Sequence, residues 1–195
     1  DLVPDLTLNY EEEVMGFVQQ GIESEDENII GIAADIVTKL CESIPENCTH
    51  HISTLTPLLL PKVEMFQVQN ALAALFDNST IPPPNITDVL AVFYQAVSEA
   101  PIDSKGDFLA LACLALSKAT IAADPFYEDW KQVIFAALGE GGDSLLKANA
   151  VRLFGIFAKN SPNVVEEDII AVFILIDWIF LEVDINRSSK CICNY

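Results

Sequence analysis

The chain is predicted to be all-α, a superhelix of about four and a half stacked helix pairs. Three observations predict this. Apolar residues recur at spacings of three and four between regularly placed turn residues, and no stretch sustains apolar–polar alternation. In addition, one helix matches another far along the chain: Ile29–Cys41 (IIGIAADIVTKLC) aligns with Leu145–Phe157 (LLKANAVRLFGIF), so that Ala34 meets Ala150, Val37 meets Leu153, Leu40 meets Ile156 and Cys41 meets Phe157. That offset corresponds to three periods of about 39 residues.

Turn-forming clusters of Pro, Gly, Asn and Asp divide the chain into nine predicted helices. The first, Asn9–Glu23, carries Val14, Phe17, Val18 and Ile22 on one face. The second, Asn28–Ser43, follows the acidic turn Glu23–Glu27, and the third spans Thr49–Val63. The fourth, Gln67–Phe76, is Ala-rich; Pro82, Pro83 and Pro84 then force an extended link, because proline cannot occupy a helix interior. The fifth is Asn85–Glu99, and the sixth, Lys105–Ile121, is Ala-rich again. The seventh, Pro125–Leu138, opens on a proline that needs no amide partner there, and Asp143 is placed to cap the eighth, Asp143–Lys159. The ninth is Val165–Val183. Every second helix is Ala-rich, which lets stacked neighbours approach closely. Residues 1–184 therefore read as one stacked unit and 185–195 as an irregular tail.

The net charge of −19, from 29 Asp and Glu against 10 Lys and Arg, sets the class of partner. Such a field repels nucleic acid and anionic lipid, attracts basic protein segments, and keeps an extended, apolar-cored protein in solution. The run Ile169–Leu181 is too short to span a bilayer and holds Asp177. The ninth helix is apolar nearly all round, a poor terminal cap for a stack. With no Met at position 1, this implies a piece of a longer array, or an end that docks on a second molecule. Cys41 and Cys113 sit in apolar helical patterns that suit reduced, buried thiols, whereas Asn47, Asn78, Asn85 and Asn186 each open an N-x-S/T sequon. The thiols favour a cytoplasmic and nuclear location; the sequons leave secretion as the alternative.

No arrangement of residues points to catalysis, a cofactor or a metal. His50 and His51 are adjacent, so on a helix they diverge by about 100° and do not form a facing pair. Gly139–Gly142 lacks the Lys-Ser/Thr ending of a phosphate loop and reads as a turn, and Cys191 and Cys193 lie in the polar tail without partners. The remaining candidates are contacts for a protein partner. Glu25, Asp26 and Glu27 either grip basic cargo or form a solvated turn that favours the next helix's positive end. Glu11–Glu13 reads the same way, as a first-turn cluster. Asp35, Lys39 and Glu42, then Lys118, Arg152 and Lys159, lie on the alternate helices. Trp130 is either a partner anchor or a cover for the seam between repeats, and Trp178 is the large aromatic of the apolar ninth helix.

The sequence resembles the HEAT-repeat family. Pro57 in Leu55–Leu60 (LTPLLL) matches the proline of the family's first helix. Ser24–Ala33 (SEDENIIGIA) matches the acidic turn, aliphatic residue and alanine that open its second helix, although Ile30 replaces the expected basic residue. Leu146, Lys147 and Ala150 supply the aliphatic–basic–alanine part. Within the family, Glu25–Glu64, with its "ESIPE" and "LLLPKVE", is similar to repeats of the importin-β group of nuclear transport receptors. The resemblance implies second helices lining a concave face that binds cargo or the Ran GTPase. It also implies gaps between first helices that receive Phe-Gly motifs of nucleoporins. The expected function is a non-catalytic protein-binding scaffold of this kind. The alternatives are another HEAT scaffold (phosphatase-scaffold-like or an assembly regulator) and a secreted helical glycoprotein.

Overall fold

A computed structural model describes residues 3–119, 124–139 and 144–177. All regular structure among them is helical. The elements are α1 (Val3–Ile22), α2 (Glu27–Ser43), α3 (Pro45–Leu59) prolonged by a 3-10 turn (Leu60–Lys62), α4 (Phe66–Asn78), α5 (Ile86–Glu99), α6 (Ile102–Lys118), α7 (Asp124–Gly139), α8 (Ser144–Asn160) and the single turn α9 (Pro162–Val165). A further helical stretch, α10, covers 169–177.

Local chemistry explains where most of these begin. The Asp26 carboxylate accepts from the Asn28 amide at 2.8 Å and so caps α2. Pro45 stands at the first turn of α3, where its missing N–H costs nothing, so α3 starts earlier than the predicted Thr49. In the same way α1 starts at Val3, with Pro4 in its first turn, rather than at Asn9. Glu11–Glu13 therefore lie mid-helix, and an electrostatic role at a helix end does not apply to them. Pro125 falls in the first turn of α7 as predicted. Asn85 takes the left-handed conformation (φ 48°) directly before α5, after the non-helical proline link. The ninth predicted helix is not continuous: residues 166–168 form a turn between α9 and α10. Asp143, the Gly139–Gly142 turn beyond Gly139, Trp178 and the tail with Cys191 and Cys193 lie outside the described residues.

Packing divides the helices into two sets. α2 packs on α4, α4 on α6 and α6 on α8; separately, α1 packs on α3, α5 on α7 and α7 on α9. Each member of the first set also packs on the helix before it, as α1 with α2, α3 with α4, α5 with α6 and α7 with α8. Burial recurs in step. Ile30, Val68, Phe108 and Leu146 are all buried, each 38 to 40 residues after the one before, and so are Ala34, Leu72, Ala112 and Ala150. The other set recurs at intervals of 38 to 41 residues through the buried Cys48, Ile86, Tyr127 and Val165. Edge-to-face aromatic pairs join α4 to α5, α5 to α7 and α7 to α8, with ring centroids 6.3 Å apart for Phe76–Phe93, 5.6 Å for Tyr94–Trp130 and 5.3 Å for Tyr127–Phe157.

Small residues mark the closest approaches. A Cβ at Gly21 would lie 2.8 Å from the Ala33 Cβ, and one at Gly106 would lie 3.3 Å from the Leu146 amide nitrogen. Polar links also cross between helices, and two of them join α6 to α8. The buried Asn149 donates through Nδ2 to the Gly106 carbonyl at 2.9 Å, and the Cys113 thiol donates to the Asn149 carbonyl at 3.5 Å. Asp168, in the turn before α10, accepts from the Tyr127 hydroxyl at 2.9 Å and pairs with Lys131 at 2.8 Å.

Candidate functional site

One face of each helix in the α2–α4–α6–α8 set is left for a site. On α2, Asp35, Thr38, Lys39 and Glu42 fall at positions i, i+3, i+4 and i+7, a single helical stripe. On α4, Asn70, Ala73, Ala74 and Asp77 show the same spacing of i, i+3, i+4 and i+7. These eight residues, with Asn78, Leu114 of α6 and Arg152 of α8, line an open groove of about 1520 Å³. The small side chains of Ala73 and Ala74 give it depth, while longer polar groups stand along its edges.

Both signs of charge are present. Lys39 pairs with Glu42 at 2.7 Å on the exposed rim, and the hydrogen bond from Lys39 to Glu42 raises the lysine's pKa. Lys118 reaches across from α6 to donate to the Asp77 carbonyl at 3.1 Å. The Thr38 hydroxyl and the Asn78 amide are spent locally on the carbonyls of Ala34 and Ala74. By contrast, the Asp77 carboxylate and the Arg152 guanidinium make no hydrogen bond or ion pair to another described residue. Beside the groove Ile32 and Ile36 are exposed on α2, Ile32 at 62%. The surface thus offers unpaired charge next to apolar area, chemistry suited to non-covalent recognition of an amphipathic protein segment.

Asp35, Lys39, Glu42 and Arg152, drawn from helices more than a hundred residues apart in sequence, are brought together here. Glu25, Asp26 and Glu27 are exposed but do not line the groove, and the Asp26 carboxylate is committed to the α2 cap. Trp130 must be corrected. It is 2% exposed and packs edge-to-face on Tyr94, so it covers a seam and is not available as an anchor. Asn70, Asp77 and Asn78 were not anticipated. The signal was present, since Asp77 stands one 38-residue period after Lys39.

Elsewhere, Cys41 and Cys48 line a small apolar cavity between α2 and α3, with His51 at its wall. The hydrogen bond to Cys48 and burial push the Cys41 thiol upward, and the same bond lowers Cys48. Among the described residues no three His, Cys, Asp or Glu side chains cluster in a metal-holding arrangement. No described helix is long and apolar enough to cross a membrane.

The fold and groove define an all-helical protein with an open surface of mixed charge. No family model matches the sequence, and no curated protein or solved structure matches it.

Proposed function

We propose that the chain is a segment of a HEAT-type solenoid that works as a protein-binding scaffold, holding a basic, amphipathic segment of a partner in the α2–α4–α6–α8 groove. One observation carries this reading: the side chains of Asp35, Glu42 and Asp77 line a single groove beside exposed isoleucines, in a chain of net charge −19. The recurrence of buried positions every 38 to 40 residues supports the solenoid, as does the successive packing of alternate helices. On this reading the groove is the concave face of a superhelix and needs no reacting group, because recognition is by charge and apolar contact. The HEAT resemblance extends the proposal to an importin-β-like receptor segment, with Ran GTPase and Phe-Gly nucleoporins among its partners.

Two experiments test it. A fluorescent amphipathic Lys/Arg-rich peptide should bind saturably, weaken as salt rises, and lose about five- to tenfold in affinity on Asp77→Lys with Glu42→Lys. Binding unaffected by both substitutions removes the groove from the proposal. A pulldown with Ran loaded with GTP or GDP tests the receptor assignment, and capture independent of the nucleotide counts against it.

A further inference from the structure

The second helix set has a discontinuity. α1 packs on α3 and α5 on α7, but α3 and α5 scarcely touch, and a cleft of about 1100 Å³ opens between them. Both walls are firmly held, α3 by α4 and α5 by α6 and α7. Prolines stand along both sides of the opening. Pro57 and Pro61 stiffen one wall, and Pro84 and Asn85, at the end of the proline link, line the other side where α5 begins.

The lining is apolar below and acidic above. Pro57, Leu60 and Val63 face Val89, Val92 and Ala96 across it. Glu64, Asp88 and Glu99 stand along the same cleft, and no described lysine or arginine lines it. Glu99 is in the last turn of α5, which has no basic residue to offset the negative end of the helix dipole. Hydrogen-bonding capacity is also left unused. Thr56 is 1% exposed, yet its hydroxyl has no partner among the described residues. Because Pro57 and Pro61 lack N–H groups, the Ser53 and Pro57 carbonyls lose the donors a regular helix would supply.

We infer that the α3–α5 cleft is a second docking site, distinct from the groove, for a short linear peptide carrying an aliphatic side chain between arginines or lysines. The aliphatic group fills the apolar floor, the cations meet Glu64, Asp88 and Glu99, and a peptide amide engages the Thr56 hydroxyl. The acidic lining selects against a neutral Phe-Gly peptide, which brings no charge to meet the three carboxylates.

The test uses the full chain and a labelled hexapeptide containing two leucines flanked by arginines, read by fluorescence anisotropy. Asp88→Lys with Glu99→Lys, both exposed on α5, should weaken binding about five- to tenfold, whereas Asp35→Lys with Asp77→Lys in the groove should change it less than about twofold. Thr56→Val should weaken binding while leaving Tm unchanged or higher, since it removes an unpartnered buried hydroxyl. The inference is overturned if the α5 pair has no effect, if the groove pair has an equal effect, or if an uncharged Phe-Gly hexapeptide binds as tightly. Because the two pairs of substitutions lie on different helix sets, loss at one site leaves the other measurable.

Discussion

Three glycines give a graded test of how closely the helices pack. Gly155 is exposed in the middle of α8, with nothing within 4 Å of the place an added methyl would take, so Gly155→Ala gains only helix propensity, about 1 kcal/mol. At Gly106 the same gain is offset by a Cβ held 3.3 Å from the Leu146 amide nitrogen, which belongs to the backbone and yields only with a shift of α8. Gly106→Ala should be close to neutral. At Gly21 the new Cβ would lie 2.8 Å from the Ala33 Cβ, well inside the roughly 3.5–4.0 Å optimum for carbon atoms. Neither atom has a rotamer to change, so α1 and α2 must separate. Overpacking costs about 1–3 kcal/mol, which meets or exceeds the propensity gain. Gly21→Ala should therefore be less stable than Gly155→Ala by about 1–3 kcal/mol, or several degrees in Tm at about 2–4 °C per kcal/mol. Urea and thermal unfolding followed by circular dichroism would measure the series. Equal stabilisation at positions 21 and 155 would refute the close α1–α2 approach and the role of small residues there.

Further outcomes follow from the polar links and the charges. Asp168→Ala removes the partner of both Tyr127 and Lys131 and should cost about 1–3 kcal/mol, with faster hydrogen exchange in 162–177 before the rest of the chain. Burial pushes the Cys113 thiol from its ordinary value near 9 up to about 12. The folded state thus disfavours the thiolate: this stabilisation is intact below pH 9 and declines by about 1.4 kcal/mol per unit between pH 9 and 12. Cys113→Ala should flatten that part of a pH–stability curve, and native Cys113 should resist alkylation at pH 8. Tyr127 is also raised, first by burial and then by its bond to Asp168, so Tyr127→Phe should lessen the stability lost above pH 10.

Much of the helical plan was legible because it rests on local signals: three-and-four spacing, turn clusters between helices, and Pro125 in the first turn of α7. Ala34 and Ala150, which the sequence match aligns, are both fully buried. The break at 166–168 was not legible. Val165, Glu166 and Glu167 include good helix formers with no glycine or proline among them, and the feature at the break is Asp168 bound to Tyr127, 41 residues earlier. Trp130 was ambiguous for a related reason. Its neighbours Glu128 and Asp129 are polar, and only the distant Tyr94 ring shows that it faces inward. The groove was half visible. Its α2 residues form a stripe that can be read directly, but Asp77 gains meaning only when the period is carried forward from Lys39.

The Asn149–Gly106 hydrogen bond matters for alignment as well as for strength. Apolar ridges on α6 and α8 can interdigitate almost equally well after one helix slides by a turn, about 5.4 Å. Such a slip would leave the buried Asn149 amide without the Gly106 carbonyl, at a cost of about 1–3 kcal/mol. A single polar side chain in an otherwise greasy interface thereby discriminates against the wrong register. Asn149→Leu should be tolerated in overall stability yet broaden the amide spectrum of α6 and α8, as the two helices sample more than one alignment.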